Sequence, residues 1–243
     1  MIKEAIILAG GLGTRLRPVV SDIPKCMAPV AGKPFLHYVI SSLQENGIEN
    51  FIFSVGYMHE TIEAWLQNNY SKLNYTISLE EEPLGTGGAI KLACSKALGK
   101  DVMVANGDTI FKINCDLLSQ FHKEKNAACT LSLKPMVNFD RYGVVELNED
   151  GSVKSFKEKQ WYQSGLINGG VYALNVEQFS KENLPQKFSF EKDYLEKNVF
   201  PVHQNPKLYG IIQDEYFIDI GIPEDYERAQ EELSPLNPLM GNY

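Results

Sequence analysis

Cysteine is scarce in this 243-residue chain, and Cys26, Cys94, Cys115 and Cys129 stand far apart with no Cys-x-x-Cys pair. That spacing argues against a disulfide framework or a zinc cluster, and makes a reducing cytoplasm the expected compartment. Long apolar runs are also missing. No 18-residue span could cross a membrane, and the short run at residues 5–8 is too brief for the apolar region of a signal peptide. Positive charge is in deficit, with 23 Lys and Arg against 31 Asp and Glu, a net charge of −8. A general nucleic-acid binder would carry a basic footprint, so that class is disfavoured. His37, His59, His122 and His203 suggest no Ser-His-Asp set, and each is expected as a surface or helix residue.

What is present is enough apolar material, 44%, for one large core. The length suits a single domain over 1–233, in two halves of about 1–110 and 111–233, with an irregular tail at 234–243. Short apolar runs at 5–9, 51–55, 75–79 and 102–105 read as buried strands. Helical patterns fall between them at 34–46, 59–70 and 88–98, the first opened by Pro34 and closed by Asn46-Gly47. Strands alternating with helices predict an α/β fold, a Rossmann-like mixed but mainly parallel sheet flanked by helices. The second half reads as further strands at 128–134, 142–147, 153–159 and 166–174, with a hairpin turn at 148–151 and helices at 189–198 and 223–233.

The first strand runs into Leu8-Ala9-Gly10-Gly11-Leu12-Gly13-Thr14-Arg15-Leu16-Arg17-Pro18. Three glycines in four residues remove the Cβ atoms that would block a phosphate, and successive backbone N–H groups there can form an anion-binding concavity. Arg15, Arg17 and Lys25 supply the cations a triphosphate needs. The spacing is neither that of a P-loop nor Gly-x-Gly-x-x-Gly, since Leu16 takes the last glycine position. A dehydrogenase of Rossmann type is therefore disfavoured. Two acids stand where a metal ligand would. Asp108 follows the strand at 102–105, and Asp219 sits between apolar neighbours in Phe217-Ile218-Asp219-Ile220-Gly221.

The run 8–18 together with Pro24-Lys25-Cys26-Met27-Ala28-Pro29-Val30 resembles the N-terminal signature of the sugar-1-phosphate nucleotidyltransferases. Within that family the segments 24–36, 81–90 and 217–226 look most like D-glycero-α-D-manno-heptose 1-phosphate guanylyltransferases. The likeness runs from Ile6 to about Ala229. It departs at Cys26, where the family usually has proline, a change in loop stiffness rather than charge.

The resemblance implies a glycosyltransferase-A-like fold with a nucleotide-binding first half and a sugar-binding second half. It implies a metal-assisted attack by a sugar phosphate oxygen on the α-phosphorus of GTP, releasing pyrophosphate, in bacterial surface-polysaccharide synthesis (capsule, lipopolysaccharide or S-layer). Arg15 and Lys25 would be catalytic, and Asp108 and Asp219 would hold Mg2+. The nucleotide would lie on Leu8, Ala9, Gly10, Gly11, Gly13, Thr14, Glu80, Gly85 and Thr86. Glu80 could accept both N1–H and N2–H of guanine, and the glycines of 85–88 suit close approach of a base. The sugar would meet Gly143, Glu158, Lys159 and Asn168, while Tyr142 and Trp161 are expected to pack. The family allows a homodimer. Other pairs remain open, mannose 1-phosphate with GTP or an amino sugar 1-phosphate with UTP, as does a silent binding subunit. No hexapeptide repeat follows the domain, which disfavours bifunctional relatives.

Overall fold

The structure, a computed structural model, describes residues 1–11, 16, 20, 23–199 and 207–234. Gly13, Thr14, Arg15, Arg17, His203 and the tail from 235 onward lie outside the described residues.

The first half is β1 (Glu4–Leu8), a small hairpin of β2 (Pro29–Val30) and β3 (Lys33–Pro34), α1 (Phe35–Glu45), β4 (Asn50–Val55), α2 (His59–Asn69), β5 (Asn74–Leu79), α3 (Gly85–Cys94), β6 (Asp101–Asn106) and β7 (Thr109–Phe111). β1 is apolar after its first residue because both faces of the sheet are covered. Ile7 joins Phe53 and Met103 in one core, and Ile6 joins Ile52 and Val104 in the other. β1 lies parallel between β4 and β6, with β5 outside β4. The chain winds outward from β1 to β5 and then returns through α3 to β6 on the opposite side of β1. At such a reversal a crevice opens at the carboxyl ends of the strands. α1 ends as its sequence dictates, with Gly47 at φ 77° and its N–H on the Gln44 carbonyl.

The second half is α4 (Cys115–Glu124), β8 (Cys129–Phe139), β9 (Val144–Leu147), β10 (Val153–Lys157), β11 (Tyr162–Asn175), α5 (Val176–Ser180), β12 (Leu208–Ile212), β13 (Phe217–Asp219) and α6 (Pro223–Glu232). β11 runs antiparallel to β6, β8 and β9 and carries the sheet into this half. The expected mixed, mainly parallel sheet flanked by helices is thus found, with nine strands in one sheet among the described residues. The turn at 148–151 closes on Gly151, φ 82°.

Seven elements, β2, β3, β7, α4, α5, β12 and β13, were not expected. β7 and α5 are too short to show a period. α4 is capped by Asn114, whose Oδ1 accepts the Leu117 N–H at 2.9 Å, but its exposed face breaks the apolar pattern. His122, expected on a helix or at the surface, is on α4 and only 2% exposed, its Nδ1 2.8 Å from Thr130 Oγ1. The expected helix at 189–198 is a wide π-type turn, Phe190–Leu195, followed by a 3-10 turn, Glu196–Asn198. Among the described residues no helix is long and apolar enough to cross a membrane.

One polar anchor sits at the far end of β1 from the crevice. Buried Glu4 accepts the N–H groups of Leu98 and Gly99, each at 2.9 Å, and ties the end of α3's connection to the sheet. Both N–H groups share Glu4 Oε2, so Glu4→Ala removes the acceptor of both and is expected to cost about 2 kcal/mol in urea unfolding, while Glu4→Gln, which keeps one oxygen, loses less. Equal stabilities for the two variants would refute that role.

Candidate active site

The crevice is built where β1, β6 and the β7–β13 ladder end. Gly107 leaves β6 with its N–H on the Leu8 carbonyl at 2.9 Å, so close that a Cβ there would lie 2.6 Å from that oxygen. Only glycine allows the turn that presents Asp108. β13 pairs antiparallel with β7, setting Asp219 opposite Thr109, and the Ile220 N–H donates to the Asp108 carbonyl at 3.1 Å. Two acids far apart in the chain become neighbours.

Lys25 meets them from a 3-10 turn, Lys25–Met27, held down by buried Cys26 and Met27. The Cys26 thiol donates to the Ala9 carbonyl at 3.7 Å, and burial followed by the Asp108 charge pushes it up to about 12. It is a packing group. Lys25 Nζ lies 2.5 Å from Asp108 Oδ2 and 3.7 Å from Asp219 Oδ1, with the Lys25 side chain only 11% exposed. Burial first, and then the Asp108 charge, raise the Asp219 carboxyl above the usual carboxylate range, while Lys25 opposes them. Among the described residues the buried Asp219 Oδ1 accepts no hydrogen bond. Gly221 leaves room for that carboxylate, since a Cβ would sit 2.9 Å from the same oxygen. Among the described residues no group of three or more His, Cys, Asp or Glu forms a metal cluster. This pair of carboxylates would need further ligands from substrate or water.

Beside this triad lies a cavity of about 490 Å³, lined by Leu8, Gly10, Gly11, Glu80, Gly85 and Thr86 from the expected set. Ala9 is buried beneath it. Gly10 passes so near Glu80 that a Cβ would lie 2.9 Å from its Oε1. Glu80 Oε2 accepts the Leu84 N–H at 3.1 Å and Oε1 faces Ser54 Oγ at 3.5 Å, while burial raises its pKa. Ser54, Gly56, Tyr57 and His59 also line the cavity and were not singled out by the sequence. Their shared position at and just past the end of β4 was the available signal.

The glycines of 85–88 also serve a purpose that was not expected. A Cβ on Gly87 would lie 2.1 Å from the Phe188 ring, one on Gly88 2.3 Å from the Gln186 carbonyl, and one on Gly85 2.6 Å from the Phe188 carbonyl. They admit a crossing segment of this chain, and Gly85 and Thr86 also line the cavity.

The second-half candidates divide. Asn168 starts a bulge in β11, where pairing with β8 is interrupted until Tyr172. Its Nδ2 donates to Tyr172 Oη at 2.8 Å, and its Oδ1 accepts the Gly170 N–H at 3.2 Å. Glu158 and Lys159 are exposed just beyond β10. Gly143 faces the Lys157 carbonyl, 2.4 Å from where a Cβ would stand. Tyr142 packs edge-on against Phe217 as expected, and burial followed by the Asp219 charge pushes its phenol up to about 12. Trp161 does not pack; it is 65% exposed.

Sequence reading also missed α6 as a brace. Tyr226 Oη and Gln230 Nε2 donate to the Pro29 carbonyl, and Gln230 Oε1 accepts the Ala31 N–H at 2.8 Å, steadying the segment that follows Lys25. From the same helix Asp225 pairs with Arg141, whose guanidinium reaches Tyr142 Oη at 2.8 Å.

A family model described as Nucleotidyl transferase matches residues 4–235. The D-glycero-alpha-D-manno-heptose 1-phosphate guanylyltransferase of Aneurinibacillus thermoaerophilus is 51% identical over 230 residues, 95% of this chain and 98% of that one. The protein of the same name from Campylobacter jejuni is 44% identical, over 92% of this chain and 96% of that one. Among solved structures, HddC from Yersinia pseudotuberculosis complexed with GMP-PN superposes with a TM-score of 0.85 at 35% identity, covering 96% of this chain and all of that one.

Proposed function

The chain belongs to the nucleotidyl transferase family, and on that premise we propose that it transfers GMP from GTP to D-glycero-α-D-manno-heptose 1-phosphate, giving GDP-heptose and pyrophosphate. The observation that carries this reading is the convergence of Lys25, Asp108 and Asp219 beside the cavity that holds Glu80. Two relatives similar over nearly their whole length bear that activity in their names, which supports the choice of sugar and base.

A sugar phosphate is largely dianionic at neutral pH, its second pKa being about 6, and so brings its own nucleophile. No general base is required, and the protein's contribution is alignment and charge neutralisation. Lys25 is the described cation for the reacting phosphates. Arg15, outside the described residues, would act on the departing pyrophosphate, with Gly11, Gly13 and Thr14 giving backbone donors. Asp108 and Asp219 fit a divalent ion, Mg2+ in this reading. The buried Asp219 Oδ1 has only a 3.7 Å ion-pair contact with Lys25 and no hydrogen bond among the described residues, which suits a cation ligand, and one or two carboxylates completed by phosphate oxygens and water are the usual Mg2+ set. Bound there, the ion would neutralise developing phosphate charge and fix the triphosphate in line.

Glu80 accounts for the base. An ionised carboxylate is an acceptor pair, matching the two N–H donors on the guanine edge and repelling the carbonyls of uracil or thymine. Glu80→Gln is expected to lower kcat/KM for GTP by roughly 10- to 100-fold, the loss of one or two charge-assisted hydrogen bonds, without a matching loss for UTP. The test is pyrophosphate release with Mg2+, each nucleoside triphosphate and a panel of sugar 1-phosphates. Faster turnover with UTP or dTTP than with GTP would reject the guanine assignment, and preference for mannose 1-phosphate would reject the heptose. A cytoplasmic enzyme of surface-polysaccharide synthesis, acting without nucleic acid or membrane and as a homodimer or monomer, is consistent with this reading.

A further inference from the structure

Glu191 is a carboxylate that neither the fold nor the chemistry above employs. It lies on the wide turn Phe190–Leu195, whose own ends are satisfied by other groups. Ser189 Oγ accepts the Lys192 N–H at 3.2 Å, and Asp193 Oδ2 accepts the Ser189 N–H at 2.9 Å while Asp193 Oδ1 pairs with Lys197. Glu191 instead reaches across β11, where its one hydrogen bond among the described residues is a long contact of 3.4 Å from Asn168 Nδ2. The Glu191 side chain is exposed at its edge, while packing around the carboxylate raises its pKa and the Lys159 ammonium is the leading influence in the other direction. Carboxylate and amide therefore meet at one place, within reach of the Lys159 charge, with the Asn168 amide already committed to Tyr172 and Gly170.

The segment bearing Glu191 is also fixed to the nucleotide side. Phe190 donates its N–H to Thr86 Oγ1 at 2.9 Å, Gly87 donates to the Phe188 carbonyl at 3.0 Å, and Phe188 donates to the Leu84 carbonyl at 3.0 Å. Thr86 and Gly85 line the cavity beside Glu80. The three glycines that admit this crossing leave the two segments in backbone contact, so the position of Glu191 is set relative to the nucleotide.

We propose that Glu191 accepts hydroxyl hydrogens of the sugar 1-phosphate and thereby helps select the acceptor, an inference that rests on the transferase reading above. An ionised carboxylate offers two acceptor oxygens and suits adjacent ring hydroxyls. Lys159, whose charge reaches this carboxylate, is left for the sugar's phosphate. A sugar lacking a hydroxyl at the contacted position leaves the carboxylate unpaired and is rejected on that account.

Glu191→Gln keeps size and shape and removes one acceptor. The expected result is a KM for the sugar 1-phosphate raised about tenfold or more, as for one lost charge-assisted hydrogen bond, with KM for GTP and thermal midpoint unchanged. Discrimination against deoxy-sugar 1-phosphates should fall with it, and Glu191→Ala should extend both effects. An unchanged sugar KM in a folded variant overturns the proposal, as does an equal rise in both KM values, which would mean a structural role. Unmodified protein that releases no pyrophosphate with any sugar 1-phosphate would sink the transferase reading itself, whereas failure confined to the Glu191 variants sinks only this inference.

Discussion

Asp219→Asn should lower turnover about a thousandfold, on the order of 4 kcal/mol of transition-state stabilisation, while the metal-free protein becomes no less stable. The two halves of that expectation have one cause. Burial and the nearby Asp108 charge disfavour the ionised form of Asp219, so its folded pKa lies above its unfolded value. The folded state then binds more protons than the unfolded one, and stability falls as pH rises from the unfolded carboxylate value near 3.8 through the raised folded one. At neutral pH the charge is a net cost to the fold unless a cation answers it. Asparagine has the same shape without the charge, so in chelator its thermal midpoint should equal or exceed that of the parent. Its activity should not return at high Mg2+. Near-normal turnover at saturating Mg2+ would show that Asp219 holds no catalytic ion.

Lys25→Ala should also cost two or more orders of magnitude in turnover, but with the opposite effect on stability. Lys25 Nζ stands between two carboxylates, at 2.5 Å and 3.7 Å, and is largely shielded from water. Removing it leaves two like charges without the cation between them, so the metal-free variant should unfold at a lower temperature than the parent. Added Mg2+ should recover much of that loss by replacing the missing cation, while turnover stays low because the reacting phosphates lack their ammonium partner. Loss of one preorganised charge-stabilising group costs roughly 3 kcal/mol or more in comparable sites. A folded Lys25→Ala protein with ordinary turnover would remove Lys25 from the reaction. Opposite shifts in melting for two inactive variants separate this charge-balance account from simple damage to the fold.

Much of this arrangement was legible along the chain. β1 and β6 announce themselves as apolar runs because strands covered on both faces have no polar positions to alternate, whereas the run expected as a buried strand at 75–79 is β5, an edge strand that alternates and is only partly buried. α1 carries its stop signal in Asn46-Gly47, and Gly47 adopts the left-handed backbone that signal requires. The triad residues were identifiable as types in context, an acid after a strand, an acid among apolar residues and a lysine in a proline-bounded turn. Where the reading fell short, the reason was distance in sequence. The glycines of 85–88 look like a ligand-binding turn in isolation. Their crossing neighbour, Phe188, is about a hundred residues away and leaves no mark on the local pattern. Trp161 was expected to pack because large aromatics usually do, and nothing local says that its strand end projects beyond the core. β7 escaped notice because three residues cannot display a period, yet its ladder with β13 is what joins the two acids.

The sequence alone determined which groups were available: a glycine turn with cations behind it, two carboxylates in apolar settings, and enough alternating strand and helix to build an open sheet. Those are properties of short windows, governed by backbone freedom, burial period and charge. Only the tertiary structure decided that Asp108 and Asp219 would share Lys25, that Glu80 would wall the cavity next to Gly10, and that Glu191 would be carried to Asn168 by a segment pinned on Thr86. Such meetings depend on strand order and register, which are set when distant segments bury their apolar faces against one another.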